Sequence, residues 1–170
     1  MHLHVGRRQC SAFGRRQQQL DGYTDAMADN TVERHAGRLI EFRHAKGFQT
    51  VADIEQMSAV ARSVMESVRR GKNCVIVADW RSCSVVMSPV VSQCLLDTLL
   101  AFNPHTERGA MLYAEGSATA IMQFVRVKGD ARNPTRRMFA DPLELAIWLE
   151  ELLTPAESAR LREFLGIAAC

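Results

Sequence analysis

Cys74-Val75-Ile76-Val77-Ala78 is a continuous apolar run rich in β-branched residues, and it stops at Asp79-Trp80. A run with no polar face predicts a strand buried on both sides, as in a parallel sheet covered by helices. Asp79-Trp80-Arg81-Ser82-Cys83-Ser84-Val85-Val86-Met87-Ser88-Pro89 then leaves the strand and feeds a helix over Pro89 to Phe102. In open α/β sheets that end of a strand is where binding surfaces collect, because loops diverge there and helix N-termini present unbonded amides.

Working toward the N-terminus, Thr50 with Asp53 at N3 caps a helix whose apolar residues recur at Val51, Ile54, Met57, Val60, Ala61, Val64, Met65 and Val68, ending before Gly71. Before it, Val32 to His35 and Arg38 to Arg43 fit a hairpin turning at Ala36-Gly37. Residues 1–30 carry Arg7-Arg8, Arg15-Arg16 and Gln17-Gln18-Gln19 with no apolar period, which predicts a disordered tail. Met27-Ala-Asp-Asn-Thr would itself serve as an ordinary N-terminus, so the segment before it is set apart from the fold.

Working toward the C-terminus, Ala110-Met111-Leu112-Tyr113-Ala114 predicts a second buried strand, Ser117 caps a helix to Val127, and Arg137-Met138-Phe139-Ala140 is a last short strand. Asp141-Pro142-x-Glu144 and Thr154-Pro155-x-Glu157 each open a helix: the first residue accepts from the N3 amide, proline suits N1, and glutamate complements the helix dipole. The expected fold class is α/β, a mixed, mostly parallel sheet of about five strands with helices packed on it, in the order β-β-α-β-α-β-α-β-α-α. Residues 31–153 form the domain, and 154–170 an extra helix covered by the domain or by a partner.

The chain has 170 residues, 47% hydrophobic and 24% charged, ordinary composition for one globular core. A formal net charge of +2 is too small to imply DNA or an anionic membrane as partner. Apolar stretches are broken by charge well before the ~18 residues a membrane span needs, and no apolar segment follows Arg7-Arg8, so a cytoplasmic protein is expected. Cys10, Cys74, Cys83, Cys94 and Cys170 are odd in number, without a C-x-x-C, and read as reduced residues.

Catalytic patterns are missing. There is no phosphate loop, no G-x-G-x-x-G after a strand and no G-x-S-x-G elbow. His2, His4, His35, His44 and His105 lack a Cys, Asp or Glu at ligand spacing and read as solvated or half-buried, so no metal is expected. Cys83, two residues from Arg81, and Ser84 are the nearest to nucleophiles, but sequence places no general base beside them. Arg126, Lys128, Arg132, Arg136 and Arg137 form a basic cluster without interleaved aromatics and diluted by Asp130, which reads as a solvated helix-to-strand loop.

At the junction the chain resembles the STAS domains, the anti-sigma-factor antagonist superfamily, and more closely its SpoIIAA-like branch. Asp79-Trp80-Arg81-Ser82 stands where the family has an Asp-Leu-Ser-Gly-like turn, and Ser88 falls nine residues after Asp79, where the family carries a serine at a helix start. Arg137-Met138-Phe139-Ala140-Asp141, followed by Glu144, Ala146, Trp148 and Leu149, looks like the branch's strand-turn-helix ending. The resemblance covers about Thr31 to Leu153. It implies a non-enzymatic, cofactor-free regulatory or scaffolding module that binds another protein, with Ser88 as a phosphorylation switch. Met87-Ser88-Pro89-Val90 departs from the family's Asp-Ser-Ser-Gly or Asp-Ser-Thr-Gly, and Ser before Pro at N1 is also an ordinary helix cap.

The expected partner-binding set is Asp79, Arg81, Ser84, Val90, Val91, Gln93 and Leu96. The alternative is an apolar small molecule or lipid held between the sheet and the helices at Pro89 and Ser117, lined by Met87, Met111, Met122 and Phe124, since the branch looks similar to lipid-carrier folds. Self-association through the two C-terminal helices is compatible with either.

Overall fold

The computed structural model describes residues 30–68, 71–83, 86–114 and 118–168. The expected 1–30 tail, Cys10, Cys170, the Ser117 cap and Ser84 lie outside the described residues, apart from Asn30 itself. The elements are β1 (Asn30–Glu33), β2 (Leu39–His44), α1 (Val51–Glu66), β3 (Cys74–Asp79), α2 (Pro89–Phe102), a 3-10 turn (Asn103–His105), β4 (Thr106–Leu112), α3 (Ala118–Asp130), β5 (Arg136–Phe139), α4 (Pro142–Glu150) and α5 (Pro155–Leu165).

The five strands form one sheet in the order β1-β2-β3-β4-β5, with β1 antiparallel to β2 and every other pair parallel. Three crossovers that step in one direction with one hand must place their helices on a single face. Accordingly Ile40, Phe42 and Ile76 bury against α1, α2 and α3, while Leu39, Val75, Val77, Ala110 and Leu112 point the other way and pack on α4 and α5. The C-terminal helices are therefore the second layer, and Leu161, Phe164 and Leu165 of α5 belong to its core. Leu143 and Ile147 remain exposed on α4.

Helix starts follow the caps. Thr50 and Asp53 make a full capping box, as do Thr154 and Glu157, whereas Asp141 accepts from the Leu143 amide at 2.8 Å instead of the N3 amide. Glu157 has a second role: its Oε1 accepts from the Arg38 amide at 2.6 Å, tying α5 to the β1–β2 turn. Gly37 in that turn has φ +50°, and a Cβ there would lie 2.0 Å from Glu157 Oε1, so the position excludes a side chain on two counts.

Several boundaries differ from the sequence reading, most by one to three residues. The first strand sits two residues earlier, and α1 closes at Ser67. β4 starts at Thr106, not Ala110, because Glu107 and Arg108 are accommodated by charge: Glu107 pairs with Arg38, and Arg108 donates to Glu151 at 2.7 Å and lies over the Trp148 ring. Among the described residues no helix is long and apolar enough to cross a membrane.

Candidate functional site

The junction anchors the second helix layer. Asp79 is buried at the end of β3; its Oδ1 accepts from the Arg81 amide at 3.1 Å and Nε at 3.0 Å, and its Oδ2 from Arg81 Nη2 at 2.9 Å. Arg43 reaches the same carboxylate at 3.4 Å. The two arginines also donate to the Phe164 and Leu165 carbonyls at the end of α5, which carry no intrahelical partner of their own. Burial pushes the Asp79 carboxyl up, but the Arg81 hydrogen bonds and the two guanidinium charges outweigh it and hold it below the usual range.

This corrects several of the expected contact residues. The Asp79 carboxylate is turned inward and occupied, Val91 is buried in the core, and Leu96 packs against that core from α2. Val90 is 67% exposed and Gln93 is exposed with its amide on Asp97 Oδ1 at 2.9 Å. Ser88 is exposed and caps α2, accepting from the Val91 amide at 3.4 Å.

A second site lies on the helix-facing side of the sheet. Strand register sets Ile40, Ile76, Gly109 and Arg136 in one row across β2 to β5, and Phe42, Ala78, Met111 and Met138 in the next. Ala78 and Gly109 are the small members of adjacent rows on the two central strands; the Arg136 side chain lies over Gly109, its Cγ 3.3 Å from where a Cβ would stand, whereas Ala78 leaves the helices little to meet. The result is a cavity of about 100 Å³ between the sheet and α1, α2 and α3. Its walls are mainly apolar, including Phe48, Ile54, Met57, Leu95, Phe102, Met111 and Phe124.

At the cavity's β2 and β3 end sits an aromatic group. His44 stacks on Trp80 with ring centroids 3.7 Å apart, Phe48 meets both edge-on, and Phe124 lies 4.4 Å from Trp80. His44 is fully buried, against the expectation of a solvated or half-buried histidine, because the alternation Ile40, Phe42, His44 continues the inward face of β2. Burial lowers its pKa to about 3, against an opposing pull from Asp79, so the imidazole is neutral at pH 7. Neither His44 Nδ1 nor Trp80 Nε1 has a hydrogen-bond partner among the described residues, although both residues line the cavity. Ser58 and Thr98, also on the wall, satisfy each other at 3.2 Å.

No protein-family model, curated protein or solved structure matches the chain.

Of the four residues expected around an apolar ligand, Met111 and Phe124 line the cavity. Met87 and Met122 are not among the lining residues: Met87 is buried beneath the loop before α2, where its amide donates to Gln123, and Met122 is 72% exposed. The basic cluster divides: Arg126, Arg132 and Arg137 are exposed, Arg126 near Asp130 on α3 and Arg137 with its guanidinium over the Trp148 ring while the residue also borders the cavity, whereas Arg136 and Lys128 are half-buried and line it. Alternation along β5 sends the two adjacent arginines to opposite faces. Glu33, His35 and Glu41 approach one another as ligand-type groups, but both Glu41 oxygens are taken by Arg160. Cys74, Cys83 and Cys94 form no disulfide.

Proposed function

We propose that this protein binds a small, mainly apolar molecule in the cavity between the sheet and α1 to α3. The carrying observation is an apolar cavity lined by His44 and Trp80, each of which buries a side-chain nitrogen, Nδ1 and Nε1, that has no hydrogen-bond partner among the described residues. A buried N–H left unsatisfied costs about 1–3 kcal/mol, so a ligand oxygen that the Trp80 indole shifts to meet recovers that cost. Ligand sites commonly combine such apolar walls with a few convergent polar groups. Native mass spectrometry of freshly purified protein is expected to show an added small-molecule mass that dissociates on mild activation. The bare chain mass alone, even after incubation with millimolar 1-pentanol, would overturn the reading.

A second reading is a regulatory module of the STAS type that docks a protein on the start of α2. It is favoured by Val86 and Val90, 53% and 67% exposed, on either side of the exposed cap Ser88. Phosphate on Ser88 would place negative charge beside the α2 amides and that apolar pair. Partner recovery that is equal for wild type, Val90→Asp and Ser88→Asp would exclude it.

A further inference from the structure

The far side of the cavity from Trp80 carries positive charge with no counter-charge among the described residues. Arg136, at the start of β5, is held only by neutral acceptors: Nε and Nη2 donate to Asn103 Oδ1 at 3.2 Å each, and Nη2 to the Leu99 carbonyl at 3.3 Å. The remaining nitrogen, Nη1, lies 3.7 Å from where a Cβ would stand on Gly109 and has no hydrogen-bond partner among the described residues. Lys128 lines the same cavity, one turn along α3 from Phe124 on the helix's inward face, and forms no ion pair among the described residues. No aspartate or glutamate is among the lining residues.

A desolvated guanidinium with only neutral partners is costly, and burial lowers the Arg136 pKa to about 10. Asn103 does not compensate it, because its side-chain oxygen is shared with Asn133 as well. An anion is the species that would.

We propose that the ligand is an amphiphilic anion, its carboxylate or phosphate meeting Arg136 Nη1 and Lys128 and its apolar body lying over Ala78 toward Trp80. This rests on the reading of the cavity as a binding site and adds the ligand's charge and direction. The volume limits the body. A dry cavity of about 150 Å³ holds a benzene ring, so about 100 Å³ accommodates about four or five carbons.

Pentanoate, pentyl phosphate and 1-pentanol share one apolar body and differ only in the head group. Each is titrated into the full chain at pH 7, following the indole N–H signal of Trp80 by NMR. The expected result is that at least one anion binds about tenfold more tightly than the alcohol, as charge-assisted bonds to a desolvated cation require. Whichever anion is preferred identifies a carboxylate or a phosphate. Lys128→Gln and Arg136→Lys are expected to weaken the anions several-fold more than they weaken 1-pentanol. If 1-pentanol binds as well as both anions, or the two substitutions leave anion affinity unaltered, the charged head group is refuted and the apolar site stands. If none of the three compounds moves the Trp80 signal, the apolar site itself fails.

Discussion

Arg160→Ala is expected to lower the unfolding free energy by about 3–5 kcal/mol, the range for removing one partner of a buried ion pair. Glu41 is 2% exposed on β2, beneath α5, and both its oxygens are held by Arg160, Nε to Oε1 at 2.8 Å and Nη2 to Oε2 at 2.6 Å. Glu33 stands directly across the strand pair. Losing the guanidinium therefore leaves a desolvated carboxylate facing a like charge instead of a neutral gap. The complementary experiment removes both charges. Glu41→Leu with Arg160→Met is expected to recover most of the loss, because the desolvation of both ions disappears together with their attraction. Urea unfolding monitored by circular dichroism gives both values. An Arg160→Ala loss below about 1 kcal/mol would show that water reaches Glu41 and that the pair is no structural anchor of α5.

Acid is expected to destabilise the protein well before its carboxylates titrate. The folded-state pKa of His44 is about 3, while the unfolded chain has the ordinary value of about 6.5. Below pH ~6.5 the unfolded chain binds a proton that the fold refuses, so stability falls as pH drops by up to about 1.4 kcal/mol per unit and levels off only near the folded pKa. Above pH ~6.5 both states are neutral and the contribution is flat. The loss at pH 4 is thus about 3 kcal/mol at most. Asp79 and Glu157 act in a lower window. Burial pushes both carboxyls up, but donors and cations outweigh it: Arg81 and Arg43 at Asp79, and the Arg38 and Thr154 donors with the Arg38 charge at Glu157. Their depressed pKa values give stability that is complete above about pH 4–5 and lost as pH falls through the folded values. His44→Phe, which keeps a ring against Trp80, is expected to abolish the slope between pH 6.5 and 4.5 and leave the more acidic loss in place. Equal slopes in wild type and His44→Phe would show that the imidazole is protonated in the fold.

Much of the architecture is legible before any coordinates, because its signals are local. Cys74 to Ala78 has no polar face, and Thr50, Asp141 and Thr154 carry caps whose chemistry is complete within four residues. What escapes is what depends on partners distant in the chain. Thr106 to Gly109 looks like a polar turn until Arg38, Glu151 and Trp148 arrive to neutralise Glu107 and Arg108. Asp79 resembles an exposed ligand-binding acid until Arg43 and Arg81 close on it.

The cavity is the hardest feature to foresee, since it arises from side chains that are absent. Ala78 and Gly109 are 31 positions apart, and only the parallel register of β3 and β4 brings them into adjacent rows of one face. Two signals were nevertheless present in the sequence. Gly109 interrupts a stretch that the structure shows to be strand, a position where a second group often approaches closely, and here Arg136 does. The alternation Ile40, Phe42, His44 points a histidine inward, which is uncommon without a reason.

The two tryptophans supply the most direct test of the binding claim. Trp80 lines the cavity, whereas Trp148 packs on the opposite face of the sheet with Phe139, Arg108 and Arg137. With 1-pentanol added to uniformly ¹⁵N-labelled protein, the indole N–H signal of Trp80 is expected to shift saturably and that of Trp148 to stay in place. Ala78→Leu, which fills the floor of the cavity, is expected to abolish the Trp80 shift. A stationary Trp80 signal, or equal unsaturated drift of both indoles, would contradict a binding site between the sheet and its helices.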